Sequence, residues 1–317
     1  MSLSFPSQGI LAALAIPTDA RGRVLKRALG EHLTWLRSCG VAGVLGLGST
    51  GEFIRFSVER RKAIQETVAE LAGPLPVIAN ISDIRPDAVA ELGSFAHYLK
   101  LPGVAVMPPH FFPVSDADQL AFFTHAAEAS QLPVLLYNFP ELTSNRISLE
   151  TISAFADRAP MAGIKQSGGE FSYHEALIKL GREKKFSVFS GADTRLPEVF
   201  KMGGAGCIGG LVNFVPEMMV EQFNVFHSGQ PGQLEPTASR MCAAGAALGK
   251  LTFPYNVSAG LEARGFDPGE PKTIVSETSA RLYSEIVDDL GKLFAEWGLP
   301  LYKSISPRRR ERVATAV

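Results

Sequence analysis

Lys165 stands in a short apolar run, Met161-Ala-Gly-Ile-Lys165-Gln166. A lysine among buried apolar residues is costly unless it is paired or neutral. Desolvation disfavours an ammonium and leaves an amine free to act as a nucleophile. Such an amine condenses with a ketone to an iminium, which draws electrons from the neighbouring carbon. A C–C or C–O bond at the next position can then form or break. A second orientation is open to Lys165, outward and snorkelling between helices. Alternation within so short a run does not choose between the two.

Two other segments could serve the same chemistry. Tyr137-Asn-Phe-Pro140 ends another apolar run, and the Tyr137 phenol there could donate or shuttle a proton; a rim aromatic that packs a loop is the other reading. Gly48-Ser-Thr-Gly-Glu52 follows a third run. Its backbone N–H groups and the Ser49 and Thr50 hydroxyls could hold a carboxylate, or close a turn by local capping. His110, after Pro108-Pro109, could bind substrate, relay a proton or cap a loop. Asp193 could accept hydrogen bonds from substrate hydroxyls or N-cap the helix after it. The six histidines show no His-Glu-x-x-His pairing, and no metal cluster is expected. The phenylalanines at 111, 112, 122 and 123 are read as packing.

These residues need elements to position them. Apolar runs at 9–17, 41–48, 75–81, 103–107, 132–138, 161–166, 186–190 and 205–212 alternate with amphipathic stretches at 24–39, 57–72, 86–100, 115–130, 148–158, 171–182, 196–202 and 216–228. Ser57 reads as an N-cap, with Glu59 in the first turn of its helix. Runs that are apolar throughout suit parallel strands buried on both faces. Eight such units predict an α/β fold, a (β/α)8 TIM barrel over residues 1–230. A doubly wound sheet is the second choice, weakened by the lack of a glycine-rich dinucleotide loop. Residues 231–300 read as a C-terminal helical region. Leu282, Ile286, Leu290, Leu293 and Phe294 fall near one helical face there. Residues 301–317 form a basic tail with Pro307-Arg-Arg-Arg-Glu-Arg312.

In a barrel of this kind the chemistry sits at the C-terminal ends of the strands. Tyr137 and Lys165 close strands five and six, about 4.8 Å apart if adjacent, and could meet over a bound ketone.

Composition narrows the function classes. The 317 residues hold 31 basic and 32 acidic side chains, a formal net charge of −1. That balance offers no global field for nucleic acid or an anionic membrane, so an anionic substrate needs local groups. Cys39, Cys207 and Cys242 are odd in number and widely spaced, which predicts buried free thiols in a reducing compartment. No basic region with a following apolar run opens the chain and no segment reaches membrane-span length; a cytoplasmic protein is expected.

The ordered set Gly48-Ser-Thr-Gly-Glu52, Tyr137-Asn-Phe-Pro140 and Gly163-Ile-Lys165, with a Gly-Ala-Asp element and the glycine-rich run Gly206-Cys-Ile-Gly-Gly210, resembles the dihydrodipicolinate synthase / N-acetylneuraminate lyase family of class I aldolases, to about Leu299. The resemblance implies Lys165 as the imine-forming nucleophile and Tyr137 as the proton relay. It implies that Gly48, Ser49 and Thr50 hold the carboxylate of a 2-oxo acid, with His110, Leu142, Asp193 and Gly209 around the rest of the substrate. It implies no cofactor and assembly as a homo-oligomer, a dimer or tetramer.

Departures from the pattern bear on the second substrate. Dihydrodipicolinate synthases carry an arginine where Leu142 stands. Neuraminate lyases tend to carry an acidic residue at the place of Thr194 and serine at that of Gly210. The loop Pro108-Pro-His-Phe-Phe-Pro113 is more like those of keto-deoxy sugar acid aldolases and dehydratases. The expected activity is therefore a lyase on pyruvate or a 2-keto-3-deoxy sugar acid. Dihydrodipicolinate synthase and a non-catalytic 2-oxo acid binding protein are the alternatives.

Overall fold

The computed structural model describes residues 3–229 and 234–302. Eight parallel strands run β1 (Gly9–Ala13), β2 (Gly43–Gly46), β3 (Val77–Asn80), β4 (Gly103–Val106), β5 (Val134–Asn138), β6 (Met161–Gln166), β7 (Ser187–Ser190) and β8 (Gly206–Gly209). Each pairs with its neighbours in sequence, and β8 returns to β1 with Ile10 opposite Cys207. The sheet is thus closed, as a (β/α)8 barrel requires, and the doubly wound alternative is set aside. Closure explains why the strands read as unbroken apolar runs. One face packs the barrel interior and the other meets the helices, so Leu11, Val44, Ile78, Val104, Leu135 and Ile164 are all fully buried.

The outer layer holds α1 (Lys26–Ser38), α2 (Val58–Ala72), α3 (Pro86–Tyr98), α4 (Asp116–Ser130), α6 (Leu149–Ala156), α7 (Tyr173–Lys184), α8 (Leu196–Met202) and α9 (Pro216–His227). Serines start several of them. Ser57 Oγ accepts from the Arg60 N–H at 3.3 Å, as the sequence predicts, and Ser115 and Ser148 cap α4 and α6 in the same way. A short helix absent from the sequence reading, α5 (Pro140–Thr143), follows β5. Pro140 fits its first turn, where no N–H partner is needed.

The C-terminal region is α10 (Glu235–Leu248), α11 (Tyr255–Ala263) and α12 (Glu277–Glu296). It is not helical throughout: residues 264–276 form an irregular connection between α11 and α12. On α12, Ile286, Leu290 and Phe294 are fully buried and Leu282 and Leu293 partly so, which matches the expected apolar face. Arg264 anchors this region. Its guanidinium is fully buried, donates to Glu217 Oε1 of α9 at 2.6 Å and faces the rings of Trp35 and Phe294. The basic tail lies outside the described residues, apart from its first two positions.

Asn213, in the turn after β8, ties the barrel seam. Its amide donates to the Ala13 carbonyl at 2.8 Å and accepts from the Ala15 N–H at 2.9 Å. Its own carbonyl accepts from His32 Nε2 of α1 at 2.8 Å. Burial of His32 pushes the imidazole pKa down to about 4 against that hydrogen bond. The cysteines depart from expectation. All three are free, but only Cys207 is buried; Cys39 is half-buried and Cys242 is exposed on α10. No described helix is long and apolar enough to cross a membrane.

Candidate active site

The side chains at the C-terminal ends of β5 and β6 are set by strand alternation. Tyr137 lies opposite Lys165 in the parallel register. The next pair, Asn138 and Gln166, points to the other face, where Asn138 Nδ2 donates to Gln166 Oε1 at 2.7 Å. Asn138 Oδ1 also accepts from the Ile147 N–H at 3.0 Å. These buried amides lock the register that brings Tyr137 and Lys165 together. The residue types gave no reason to single them out as chemistry, and their role is positional.

Lys165 does not snorkel outward. Its side chain is 4% exposed and its Nζ donates to the Tyr137 hydroxyl at 3.0 Å. The same Nζ lies 4.2 Å from the centre of the Tyr137 ring. Tyr137 is likewise buried, so the rim-aromatic reading does not describe it. Its oxygen also lies 2.8 Å from Ser49 Oγ. Ser49 comes from the turn after β2, so three strand ends converge on one phenol. With its oxygen accepting from Lys165, the phenol proton is free to point at Ser49.

A cavity of about 250 Å³ opens over these groups, lined by Ser49, Thr50, Tyr137, Lys165, Asp193 and Gly210 among others. One wall comes from the C-terminal region: Gly245, Leu248, Phe253, Asn256 and Val257. Sequence reasoning missed this wall. Its residues carry no motif, and only long-range packing of α10 and α11 on the barrel brings them there.

Room in the cavity depends on a glycine. A Cβ on Gly191 would stand 2.0 Å from Ser167 Oγ and 3.3 Å from Lys165 Cε, so glycine keeps the lysine's path clear.

Asp193 sits in the cavity but its oxygens are largely committed to the protein. Oδ2 accepts from the N–H groups of Gly210 at 3.0 Å and Leu211 at 2.9 Å. Oδ1 accepts from the Cys207 thiol at 3.2 Å. It therefore caps the turn after β8 rather than the helix that follows it. Burial raises the Asp193 pKa, opposed by the Leu211 N–H, the Cys207 thiol, the Lys165 charge and the Gly210 N–H. Gly209 makes this arrangement possible, since a Cβ there would fall 1.6 Å from Asp193 Oδ1. Gly209 is thus spatial support for Asp193.

Two expected residues stand apart from Lys165. His110 and Leu142 line a second cavity of about 210 Å³, which shares Ser49 and Phe253 with the first. The His110 ring meets the edge of Phe53 with centroids 6.4 Å apart. Its pKa is lowered, chiefly by burial and further by the Arg61 cation, with Asp83 opposing. Gly48 shapes the turn that carries Ser49 and Thr50, and Thr50 is buried. Among the described residues no three His, Cys, Asp or Glu side chains gather as a metal site requires.

The arrangement provides a buried amine, a phenol in contact with it, a hydroxyl beyond the phenol and an adjoining chamber. The sequence matches the dihydrodipicolinate synthetase family over residues 6–290. A 4-hydroxy-tetrahydrodipicolinate synthase of Methanococcoides burtonii is 26% identical over 289 residues, covering 90% of this chain and 99% of that one. A prophage protein of the same family from Escherichia coli K12, solved in complex with pyruvate, superposes with a TM-score of 0.84 at 24% identity, covering 90% of this chain and 98% of that chain. A 2-keto 3-deoxygluconate aldolase from Picrophilus torridus gives a TM-score of 0.78 at 22% identity, over 85% of this chain and 98% of that one. This chain, with its Lys165–Tyr137 pair at the mouth of a closed eightfold barrel, belongs to the dihydrodipicolinate synthetase family of lyases.

Proposed function

We propose that Lys165 forms an imine with pyruvate, or with the pyruvyl end of a 2-keto-3-deoxy acid, and that the chain makes or breaks the bond one carbon beyond. The observation that carries this reading is the buried contact of Lys165 Nζ with the Tyr137 hydroxyl, itself beside Ser49. The amine attacks the C2 carbonyl, and the phenol supplies a proton as the carbinolamine loses water. In the cleavage direction the C3–C4 electron pair moves into the iminium to give an enamine. The C4 hydroxyl gives up its proton and becomes an aldehyde. Protonation at C3 and hydrolysis of the imine by water release pyruvate and regenerate the amine. Loss of water from C4 would start from the same imine. Ser49, Thr50 and the Gly48 turn are assigned to the carboxylate of the 2-oxo acid.

Synthesis of 4-hydroxy-tetrahydrodipicolinate, the named activity of the Methanococcoides burtonii relative, is the second reading. Leu142 weakens it, because that position offers no cation to a second carboxylate. Direct assay of pyruvate with aspartate semialdehyde separates the two. Assembly as a dimer or tetramer belongs to the same proposal and is read by sedimentation.

The imine is tested with pyruvate and sodium borohydride. One reduced pyruvyl group should appear in the intact mass and map to Lys165, and Lys165→Ala should abolish it. A wild-type protein that gains no mass overturns the reading.

A further inference from the structure

A second cavity opens beside the one over Lys165. It adjoins the Lys165 cavity, with Ser49 and Phe253 on the boundary of both. Its walls are mainly apolar: Phe53, Ile54, Met107, Leu142, Phe253 and Pro254. Several polar groups at its edge are engaged. Glu52 takes Arg55 at 2.8 Å and Lys272 at 3.0 Å, which turns both cations onto one carboxylate. The Thr143 hydroxyl is held by the carbonyls of Phe139 and Asn145. Ser49 pairs with Tyr137 and is assigned above to the pyruvyl carboxylate. The outer nitrogens of Arg55 remain, and so does His110, its imidazole shifted by burial towards the neutral form.

Such a chamber suits some substrate ends and not others. An apolar cavity of about 150 Å³ can take up benzene, so 210 Å³ has room for a phenyl ring or a branched aliphatic chain. A polyhydroxylated chain would bring its hydroxyls to walls that are mainly apolar, with His110 and the outer nitrogens of Arg55 as partners at the edge. Each unpaired buried hydroxyl lowers affinity by about tenfold or more. A terminal carboxylate meets Leu142, while Lys272 and the Nε of Arg55 already pair with Glu52.

We infer that the carbon chain beyond C3 of the substrate ends in an uncharged apolar or aromatic group, so the aldehyde made or consumed is of the aryl or branched-alkyl class. This rests on the imine reading above and turns it away from a sugar acid. In cleavage, the C3–C4 electrons pass to the enamine and C4 leaves as the apolar aldehyde. His110 lies where it can hydrogen-bond an oxygen on that group.

The test compares pyruvate release from three synthetic 4-hydroxy-2-oxo acids. Their ends are a phenyl ring, the diol chain of 2-keto-3-deoxygluconate and a terminal carboxylate. The phenyl compound should show a kcat/KM about tenfold or more above the other two, the scale on which hydrophobic pockets discriminate. Leu142→Asn, at a half-exposed position that does not endanger the fold, should cut the phenyl-to-diol ratio several-fold. Borohydride trapping of pyruvate runs in parallel. A missing adduct overturns the imine itself. An intact adduct with preference for the diol or the carboxylate, with no turnover of any compound, or with a ratio that Leu142→Asn leaves unmoved overturns the apolar assignment alone.

Discussion

Tyr137→Phe removes one oxygen and leaves the ring in place. That oxygen accepts from Lys165 at 3.0 Å and pairs with Ser49 at 2.8 Å. A typical internal hydrogen bond contributes about 1 kcal/mol net. Ser49 is half-buried and can bond water instead, so the variant should lose about 1–2 kcal/mol of stability. A general acid–base group contributes about 100- to 10,000-fold to rate, or about 3–5 kcal/mol of transition-state stabilisation. The kinetic loss should therefore exceed the stability loss. Pyruvate release, coupled to lactate dehydrogenase, measures the first, and urea denaturation the second. Borohydride trapping should still label Lys165, but more slowly. A kcat/KM within tenfold of the parent would refute the proton relay and reduce Tyr137 to a support for the lysine.

Three further outcomes are expected. Gly209→Ala puts a Cβ 1.6 Å from Asp193 Oδ1 and 2.9 Å from Cys207 Sγ. It should cost about 1–3 kcal/mol by overpacking and lower activity with it; an unchanged urea midpoint would show that Asp193 is not held by this fit. His32 has a folded pKa of about 4 against an ordinary 6.5, so the unfolded chain binds the proton first as pH falls. Stability from this site is intact above pH 6.5 and is lost towards pH 4, by roughly 3 kcal/mol. His32→Gln keeps a donor for the Asn213 carbonyl and should flatten that part of the stability–pH curve; a parallel curve contradicts the assignment. Arg264→Met leaves Glu217 without its 2.6 Å partner and should destabilise by about 3 kcal/mol, the low end for a broken buried pair since Glu217 keeps some solvent contact. Thermal melts read it, and a variant as stable as the parent would show that packing alone holds the C-terminal helices.

The barrel was legible because its strands are buried on both faces. Val104-Ala-Val106 and Val134-Leu-Leu136 carry no polar interruption, and each is followed by a helical stretch. Lys165 was legible as an anomaly against that background, but its orientation was not. Orientation depends on register, and the Asn138–Gln166 pair that sets register resembles any two amides in sequence. Asp193 was visible as a residue after a strand. Its partners, the N–H groups of Gly210 and Leu211, come from the next βα unit, so its capping of the β8 turn could not be read locally. The wall from Gly245 to Val257 was hidden for the same reason. Ala-rich α10 reads as generic helix, and what it covers is decided by packing across the whole chain.

That wall divides the labour of the protein along its length. The imine-forming groups sit on strand ends, where a small backbone shift would break the Lys165–Tyr137 contact. The facing surface is carried by helices that share no register with those strands. Substitutions from Gly245 to Val257 can thus redraw the shape of the chamber while the amine and phenol stay in place. Divergence of substrate preference should accumulate there and around Leu142 before it reaches the strands. A chimera that exchanges the segment after β8 with that of a relative would ask whether preference travels with the helices while trapping at Lys165 is retained.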